Sequence, residues 1–371
     1  MSGRKVALVV GARPNYIKAK PLLAAMDAAP GLEPLLVHTG QHYDPALFED
    51  LFAQLDMRAP DVFLGDPQRE RRPTVAEMIA AFSSWCAEVR PACVVVVGDV
   101  DSTAAAAIAG HYGGLPVVHV EAGLRSGDRQ MPEEVNRVLT DALSSLLLVS
   151  DPAGVENLAC EGRTGDDVVL VGNVMIDTLL ERRDAARRTA LPGPVEGIVA
   201  QGPYALLTLH RPSNVDDPQM LRTWGQAFAQ VAARLPVVFP VHPRTRASLE
   251  RHGLWEDYAR TPGLLLTEPL GYLETVRLED GARVVLTDSA GITEETSVLG
   301  VPCLTLRTTT ERPVTLTQGT SVLVHEDPAL LLEWVERVLA DRFERKGPIP
   351  LWDGHAAERS VAALTRFLER R

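Results

Sequence analysis

Two carboxylates in the first half of the chain stand where they could exchange a proton with a ligand. Asp99 follows four valines and a glycine, and Glu121 follows another apolar run in the segment H-V-E-A-G. Asp99 could instead cap a following helix at Ser102, although Asp101 is the better candidate for that cap. Glu121 has no evident helix partner. We therefore expect both acids to take part in general acid or base chemistry.

A third acid, Glu133, is harder to interpret. It lies at the start of a predicted helix, where negative charge is favourable in any case. Its spacing to Arg137 is i, i+4, which allows a plain surface ion pair. From the residues alone, a structural role is favoured for Glu133.

Several basic residues stand at predicted strand or helix ends. Arg13 and Lys18 flank the start of the first helix, where two cations are unfavourable unless an anion lies between them. His210 ends the first strand of the second half, next to Arg211, and structural and catalytic roles are equally open for it. His242 could cap a helix or bind a ligand. An anionic ligand is thus expected near Arg13 and Lys18.

The segment Val284–Pro313 has the pattern of a phosphate-binding turn. A short apolar strand breaks at Asp288, a helix with Glu294 and Glu295 follows, and this helix stops at Gly300. Backbone N–H groups of such a turn point at an anion, and the helix dipole adds partial positive charge. A carboxylate in the first helical turn could accept both ribose hydroxyls, and an arginine beyond the next strand could bind a diphosphate. The segment predicts a site for a nucleotide diphosphate.

Apolar strands alternate with helices along the whole chain. The predicted strands are residues 5–10, 35–39, 92–97, 117–120, 146–149, 168–171, 205–209, 237–241, 264–267, 284–287 and 302–306. Helices are predicted at 75–89, 102–109, 329–343 and 356–371, after Arg13 and from Pro132, with loops at 66–73 and 189–203.

This alternation predicts an α/β protein with parallel sheets. The arrangement expected is two Rossmann-like domains that face each other across a cleft, with residues 1–171 in the first and 172–354 in the second. Ligands of such sheets bind beyond the carboxyl ends of the strands. Arg13, Gln41, Asp99 and Glu121 should therefore converge on one edge of the first sheet.

The totals exclude several classes of protein. A chain of 371 residues is too long for one ordinary core, and a net charge of −12 argues against general nucleic-acid binding. The four cysteines lack metal-ligand spacing, and neither a P-loop nor a dinucleotide fingerprint is present. No metal and no redox cofactor are expected.

Because the first apolar run is only strand-length and none approaches about 18 residues, we expect a cytoplasmic protein without membrane association.

Ten short motifs in order between residues 11 and 315 point to a family. They are G-A-R-P-N-Y-I-K-A-K-P-L, T-G-Q-H-Y, G-D-V-D-S-T, H-V-E-A-G-L-R-S-G-D, P-E-E-V-N-R, G-N-V-M-I-D, L-H-R-P-S-N, P-V-H-P, T-D-S-A-G-I-T-E-E and T-T-E-R-P-V-T. Together they resemble the non-hydrolysing UDP-N-acetylglucosamine 2-epimerases. The resemblance implies the GT-B architecture, a C-terminal helix at 355–371 that returns to the first domain, a homodimer and no cofactor.

The resemblance also implies a reaction and a set of site residues. The reaction would interconvert UDP-N-acetylglucosamine and UDP-N-acetylmannosamine by eliminating UDP to a 2-acetamidoglucal and adding it back. Asp99, Glu121 and Glu133 would be the acid/base set, and His210 would be a diphosphate partner or proton donor. The implied substrate-binding residues are Arg13, Lys18, Ser289, Gly291 and Arg312 at the diphosphate and Glu295 at the ribose, with Ala290 inside the cradle and His242 near a second nucleotide site of bacterial relatives.

The chain departs from the family pattern in three places. Ala290 replaces a glycine and adds a methyl group near the expected phosphate. Thr275 stands where relatives often have an aromatic residue beside the uracil. Tyr43 and Asp44 replace the R-E of T-G-Q-H-R-E, so no allosteric nucleotide site is predicted. Three alternatives to the epimerase stay open: a hydrolysing 2-epimerase that releases UDP and N-acetylmannosamine, a GT-B glycosyltransferase, and a silent UDP-sugar-binding protein.

Overall fold

The computed structural model describes residues 3–41, 45–65 and 71–371, with residues 45–49 described by their backbone alone. Tyr43, Asp44 and most of the predicted loop 66–73 lie outside these residues. The chain divides into two compact units, residues 1–181 with 350–371 and residues 182–349. The sequence placed the first division after residue 171, whereas the structure divides between Glu181 and Arg182. That point lies within one continuous helix, where composition carries no boundary signal.

The first unit contains a parallel sheet whose strands are near-continuous apolar runs. Its strands are β1 (Arg4–Val10), β2 (Leu32–His38), β3 (Val62–Phe63), β4 (Cys93–Val97), β5 (Val117–Ala122), β6 (Leu146–Val149) and β7 (Val168–Leu170). Its helices are α1 (Arg13–Ala28), α2 (Pro45–Leu55), α3 (Val75–Val89), α4 (Asp101–Tyr112), α5 (Pro132–Leu143), α6 (Pro152–Cys160) and α7 (Val174–Arg188), of which α7 continues into the second unit. The strand order is β3-β2-β1-β4-β5-β6-β7, and β4 is buried throughout, as expected for a strand covered on both faces.

The second unit repeats this plan with six strands. These are β8 (Ala205–Thr208), β9 (Val237–Pro240), β10 (Leu264–Thr267), β11 (Val284–Thr287), β12 (Cys303–Thr305) and β13 (Ser321–Leu323). The helices are α8 (Gly193–Gln201), α9 (Pro212–Val215), α10 (Pro218–Ala232), α11 (Pro243–Arg251), α12 (Trp255–Ala259), α13 (Tyr272–Gly281), α14 (Ala290–Leu299), α15 (Pro313–Thr317) and α16 (Pro328–Leu339). All pairings are parallel in the order β10-β9-β8-β11-β12-β13.

The last helix, α17 (Ala356–Glu369), belongs to the first unit and packs against α1. Its first N–H groups, on Ala356 and Ala357, donate to the buried carboxylate of Asp177 at 3.1 and 2.7 Å. Trp352, just before it, donates its indole N–H to the carbonyl of Ser150 at 3.0 Å. No helix among the described residues is both long and apolar enough to span a bilayer.

Most predicted elements are observed, and one prediction is wrong. The helix Val75–Val89 and the strands Leu146–Val149, Leu264–Thr267 and Val284–Thr287 have the predicted bounds. Residues 189–203 were predicted to be a loop, yet α8 occupies most of that range. Pro194 lies in the first turn of α8, where a missing N–H has no cost, and Glu196 accepts the N–H of Leu191 at 3.3 Å. The prolines thus mark the start of a helix and not a loop.

Both sheets reverse their strand order at one point. The reversal lies between β1 and β4 in the first unit and between β8 and β11 in the second. Parallel sheets of this kind bind ligands beyond the carboxyl ends of the strands at that point. The segments that leave these four strands carry Arg13, Asp99, His210 and Asp288. Each unit therefore places candidate residues at its own reversal point.

Candidate active-site residues

Glu121 lies in a β-bulge at the end of β5. The register between β5 and β6 shifts between Val120 and Ala122, and Glu121 has a φ of +74°. A left-handed backbone at a residue with a side chain is strained, and such strain concentrates at functional sites. The bulge turns the side chain out of the strand alternation. Its carboxylate, on a residue only 8% exposed, forms an ion pair with Lys18 of α1.

Gly98 makes room for this ion pair. Its φ is +70°, and a Cβ atom there would lie 3.3 Å from Oε2 of Glu121 and 3.4 Å from Nζ of Lys18. Glycine alone combines this backbone with so close an approach. The turn after β4 is therefore shaped around the Glu121 carboxylate.

Asp99 follows Gly98 and is held by α5. Its carboxylate forms an ion pair with Arg137, and its backbone carbonyl accepts the side-chain amide of Asn136 at 2.9 Å. Neither Asp99 nor Asp101 caps α4 as expected. The N–H of Ser102 donates instead to Oε1 of Gln41 at 2.9 Å, so a side chain from the segment after β2, two strands away in the sheet, satisfies the helix start.

The two glutamates at the start of α5 have different surroundings. Glu134 is buried and accepts the N–H groups of Ser126 and Gly127 at 2.8 and 3.0 Å. It also pairs with Arg137 at 3.2 Å. Glu133 is half-buried and makes neither a hydrogen bond nor an ion pair within the described residues. The surface pair that the i, i+4 spacing suggested for Glu133 is therefore not formed, and its carboxylate is available.

The start of α1 carries the two cations, Arg13 and Lys18, near which the sequence predicted an anionic ligand. Arg13, the first residue of the helix, is exposed. Lys18 lies more than a turn further on, and its observed anionic partner is Glu121 of the protein. Asn15 accepts the N–H groups of Gly11 and Ala12 at 3.2 and 3.1 Å. The amide side chain of Asn15 thus satisfies the two N–H groups that directly precede α1.

A buried histidine fixes both turns that carry the acids. His119 in β5 places Nδ1 2.6 Å from Oδ1 of Asp141 and Nε2 2.8 Å from the carbonyl of Gly98. Because both partners accept, the ring carries a proton on each nitrogen. Asp141 also accepts the N–H of Gly123 at 3.0 Å and pairs with Arg125 at 2.8 Å. Burial alone would raise the pKa of Asp141, but the charges and hydrogen bonds of His119 and Arg125 outweigh it and lower that pKa.

We expect Asp141→Asn to destabilise the first unit by about 3 kcal/mol, because it leaves a buried imidazolium without its counter-charge. Urea unfolding measures the change. Glu161→Gln is the matched control, since Glu161 pairs with Arg125 at 2.7 Å through a side chain that is 39% exposed. That control should cost less than about 1 kcal/mol. Equal losses in the two variants would contradict the central role given to Asp141.

In the second unit, His210 and Asp288 form a hydrogen-bonded pair on neighbouring strand ends. Nδ1 of His210 lies 2.8 Å from Oδ1 of Asp288, which is fully buried. Asp288 also accepts the N–H groups of His210 and Arg211 and the side-chain amide of Asn214. Burial alone would raise the pKa of Asp288, but these hydrogen bonds, led by that of His210, lower it. The pair fixes the proton on Nδ1 of His210 and leaves Nε2 for a ligand.

The start of α14 presents backbone N–H groups, as the sequence predicted. Ser289 precedes the helix, its N–H donates to Oγ1 of Thr287 at 3.0 Å, and its side chain does not cap the helix. Ala290 and Gly291 form the first turn and are half-buried. Ala290 has a right-handed helical conformation, which alanine adopts without strain. The departure from glycine therefore causes no backbone conflict.

Glu294 and Glu295 lie in the second turn of α14, and not in the first as predicted. Glu294 forms a buried ion pair with Arg312, of which only 1% is exposed. Glu295 is 6% exposed and accepts the hydroxyl of Tyr272 at 3.3 Å. The guanidinium of Arg312 is thus already engaged with a carboxylate.

His242 has the capping role that the sequence left open. Its Nδ1 accepts the N–H of Arg244 at 3.2 Å at the start of α11. The centre of its ring also lies 5.5 Å from that of His210. The imidazoles of His210 and His242 are therefore neighbours at the carboxyl ends of β8 and β9.

Comparison with known proteins places the chain in a family. A family model described as UDP-N-acetylglucosamine 2-epimerase matches residues 24–365. The UDP-N-acetylglucosamine 2-epimerase of Methanocaldococcus jannaschii is 34% identical over 97% of this chain and 99% of its own. The UDP-2,3-diacetamido-2,3-dideoxy-D-glucuronate 2-epimerase of Pseudomonas aeruginosa is 35% identical over 98% and 100%.

A solved structure gives the same result. The crystal structure of the M. jannaschii enzyme in complex with UDP-GlcNAc and UDP matches with a TM-score of 0.84 at 33% identity, covering 98% of this chain and 99% of that one. The fold and these relatives define an isomerase, and among isomerases an epimerase. The chain belongs to the UDP-N-acetylglucosamine 2-epimerase family.

Proposed function

We propose that this protein interconverts UDP-N-acetylglucosamine and UDP-N-acetylmannosamine without hydrolysing them. The observation that carries the proposal is Glu121, a strained and buried carboxylate that the fold holds against Lys18. Asp99, after β4, and Glu133, at the start of α5, belong to the same unit and complete an acid/base set. The site of one relative structure, with UDP-GlcNAc and UDP bound, supports a UDP-sugar as the substrate class.

The first half-reaction breaks the bond between C1 and the diphosphate oxygen. The C2 proton is not α to a carbonyl group, so departure of UDP runs ahead of proton removal and leaves cationic character at C1. Stabilising the leaving diphosphate then matters more than a strong base. We assign this task to the N–H groups at the start of α14, together with Nε2 of His210. Glu295 is assigned to the ribose hydroxyls.

To complete the first half-reaction, a carboxylate removes the C2 proton. The electrons of the C2–H bond form the C1–C2 double bond of 2-acetamidoglucal, and UDP keeps the electrons of the C1–O bond. The second half-reaction reverses these steps with the proton added to the other face of C2. A second carboxylic acid then protonates C2 from the opposite face, and UDP adds back to C1. Asp99, Glu121 and Glu133 supply these proton transfers. We retain Arg13, Lys18 and Arg312 as proposed diphosphate contacts, and the homodimer and cytoplasmic location as predictions from the resemblance.

A second candidate substrate comes from the name of another relative. The relative named UDP-2,3-diacetamido-2,3-dideoxy-D-glucuronate 2-epimerase is as similar to this chain as the M. jannaschii enzyme is, at 35% against 34% identity. The same chemistry at C2 would serve that sugar, because the reaction does not involve the substituents at C3 and C5. The activity of the protein on this sugar therefore has to be measured alongside its activity on UDP-N-acetylglucosamine.

Incubation with each UDP-sugar in deuterium oxide, followed by proton NMR, tests the proposal. We expect deuterium at C2 of both epimers of UDP-N-acetylglucosamine without net loss of UDP. Accumulation of UDP with free N-acetylmannosamine would establish a hydrolysing enzyme instead. Absence of exchange at C2 with either sugar would exclude an epimerase mechanism and leave the glycosyltransferase or binding-protein alternatives.

A further inference from the structure

Glu279 is a carboxyl group buried in the second unit without a hydrogen-bond donor of the usual kind. It lies on α13, is 0% exposed, and no described residue offers an N–H group or a hydroxyl to either of its oxygens. A buried carboxylate in this state would be very unfavourable. Its protonation state must therefore differ from that of an ordinary glutamate.

Helix α14 packs against α13 and carries Glu295, whose carboxyl is the neighbouring group that raises the pKa of Glu279. Tyr272 lies two turns before Glu279 on the same face of α13 and donates its hydroxyl to Oε1 of Glu295 at 3.3 Å. Two carboxyl groups can share a hydrogen bond only if one of them carries a proton. Tyr272, Glu279 and Glu295 thus form one buried cluster, and a hydrogen bond between its two acids requires a proton on one of them.

The surroundings decide which acid keeps the proton. Glu279 is the more deeply buried, whereas Glu295 retains 6% exposure and already receives the Tyr272 hydroxyl, which favours its charged form. Burial and the neighbouring Glu295 raise the pKa of Glu279 well above its usual range. Burial likewise raises the pKa of Tyr272, which therefore remains a donor.

We propose that Glu279 is a positioning residue of the nucleotide site: as a neutral carboxylic acid it donates a hydrogen bond to Glu295 and holds that carboxylate for the ribose hydroxyls. This role rests on the proposed function, in which Glu295 binds the ribose. With Tyr272 and Glu279 both donating from the buried side, Glu295 has a fixed rotamer and charge.

Calorimetric binding of two probes tests this role, UDP and its analogue that lacks both ribose hydroxyls. Glu279→Gln keeps a neutral donor and should bind UDP within about twofold of the wild type. Glu279→Leu removes the donor and should weaken UDP binding by about tenfold, the scale of one hydrogen bond to a charged group. Its binding of the dideoxy analogue should equal that of the wild type. The infrared carbonyl band of a protonated acid should be present in the wild type and absent from Glu279→Gln.

Several results would overturn the inference. An equal loss of affinity for both probes in Glu279→Leu would show a structural role. Unchanged UDP binding in that variant would show that the donor is not needed. Absence of a protonated-acid band from the wild type would show that Glu279 is not neutral. If the wild type preferred UDP to the analogue and Glu279→Leu kept that preference, the role of Glu279 alone would be refuted. If the wild type bound no UDP, the proposed function would fail together with this role.

Discussion

Glu121→Gln should lower kcat by at least about a hundredfold, the usual scale for the loss of acid/base assistance. The amide has the shape of the carboxylate and preserves the bulge at the end of β5, but it cannot take or return the C2 proton. KM for the UDP-sugar should change less than kcat, because the start of α14 and Nε2 of His210, to which the leaving diphosphate is assigned, are untouched. A moderate change in KM is expected only through Lys18, the ion-pair partner of Glu121. Initial rates of epimerisation and the rate of deuterium incorporation at C2 give the two measurements.

Glu156→Gln is the matched control for this experiment. Glu156 lies on α6 of the same unit and is exposed, so the same loss of charge should leave kcat unchanged. A near-normal kcat in Glu121→Gln would remove Glu121 from the mechanism. The strained backbone of Glu121 would then need another explanation.

Asp288→Asn should affect activity and stability together. Asparagine cannot accept from all the donors that surround Asp288, and its own N–H₂ group would oppose Nδ1–H of His210. We expect kcat to fall by at least about tenfold, because the proton of His210 is no longer fixed on Nδ1. We also expect a loss of about 2 kcal/mol in unfolding free energy, the cost of a buried donor left unpaired.

The loss of stability in Asp288→Asn should depend on pH. Because the pKa of Asp288 is lowered in the folded state, its carboxylate stabilises the fold above the unfolded value of about 4. That contribution disappears as the pH falls through the folded pKa. Wild type should therefore lose more stability in acid than Asp288→Asn does. Asp216→Asn, at an exposed pair with Arg244, should follow the wild type within about 1 kcal/mol.

The sequence was sufficient for the fold class because buried parallel strands have a strong signal. The valine run of β4 and the strand β11 are apolar throughout, and small or polar residues mark where each ends. The same signal located Asp99, Glu121 and His210, since a polar residue directly after a buried strand lies at the carboxyl edge. Asp288 follows β11 in this way and could have been added to the site on the same ground.

Other features depended on contacts that no local pattern records. Gln41 caps α4 from a distant strand end, so Asp101 was a reasonable but wrong choice. The difference between Glu133 and Glu134 depends on the loop that folds back onto Glu134 alone. The pairing of Glu279 with Glu295 depends on how α13 packs on α14, and an isolated glutamate in a helical sequence gives no sign of it.

The ion pairs of the first unit have a consequence for how a charged substrate is received. The chain has a net charge of −12, which should repel a UDP-sugar at long range. The acids beside β4 and β5 contribute little to this repulsion, because Lys18 neutralises Glu121 and Arg137 neutralises Asp99. Raising the ionic strength should accordingly assist the first approach of the substrate, while leaving the electrostatics of the short-range, already compensated pairs nearly unchanged.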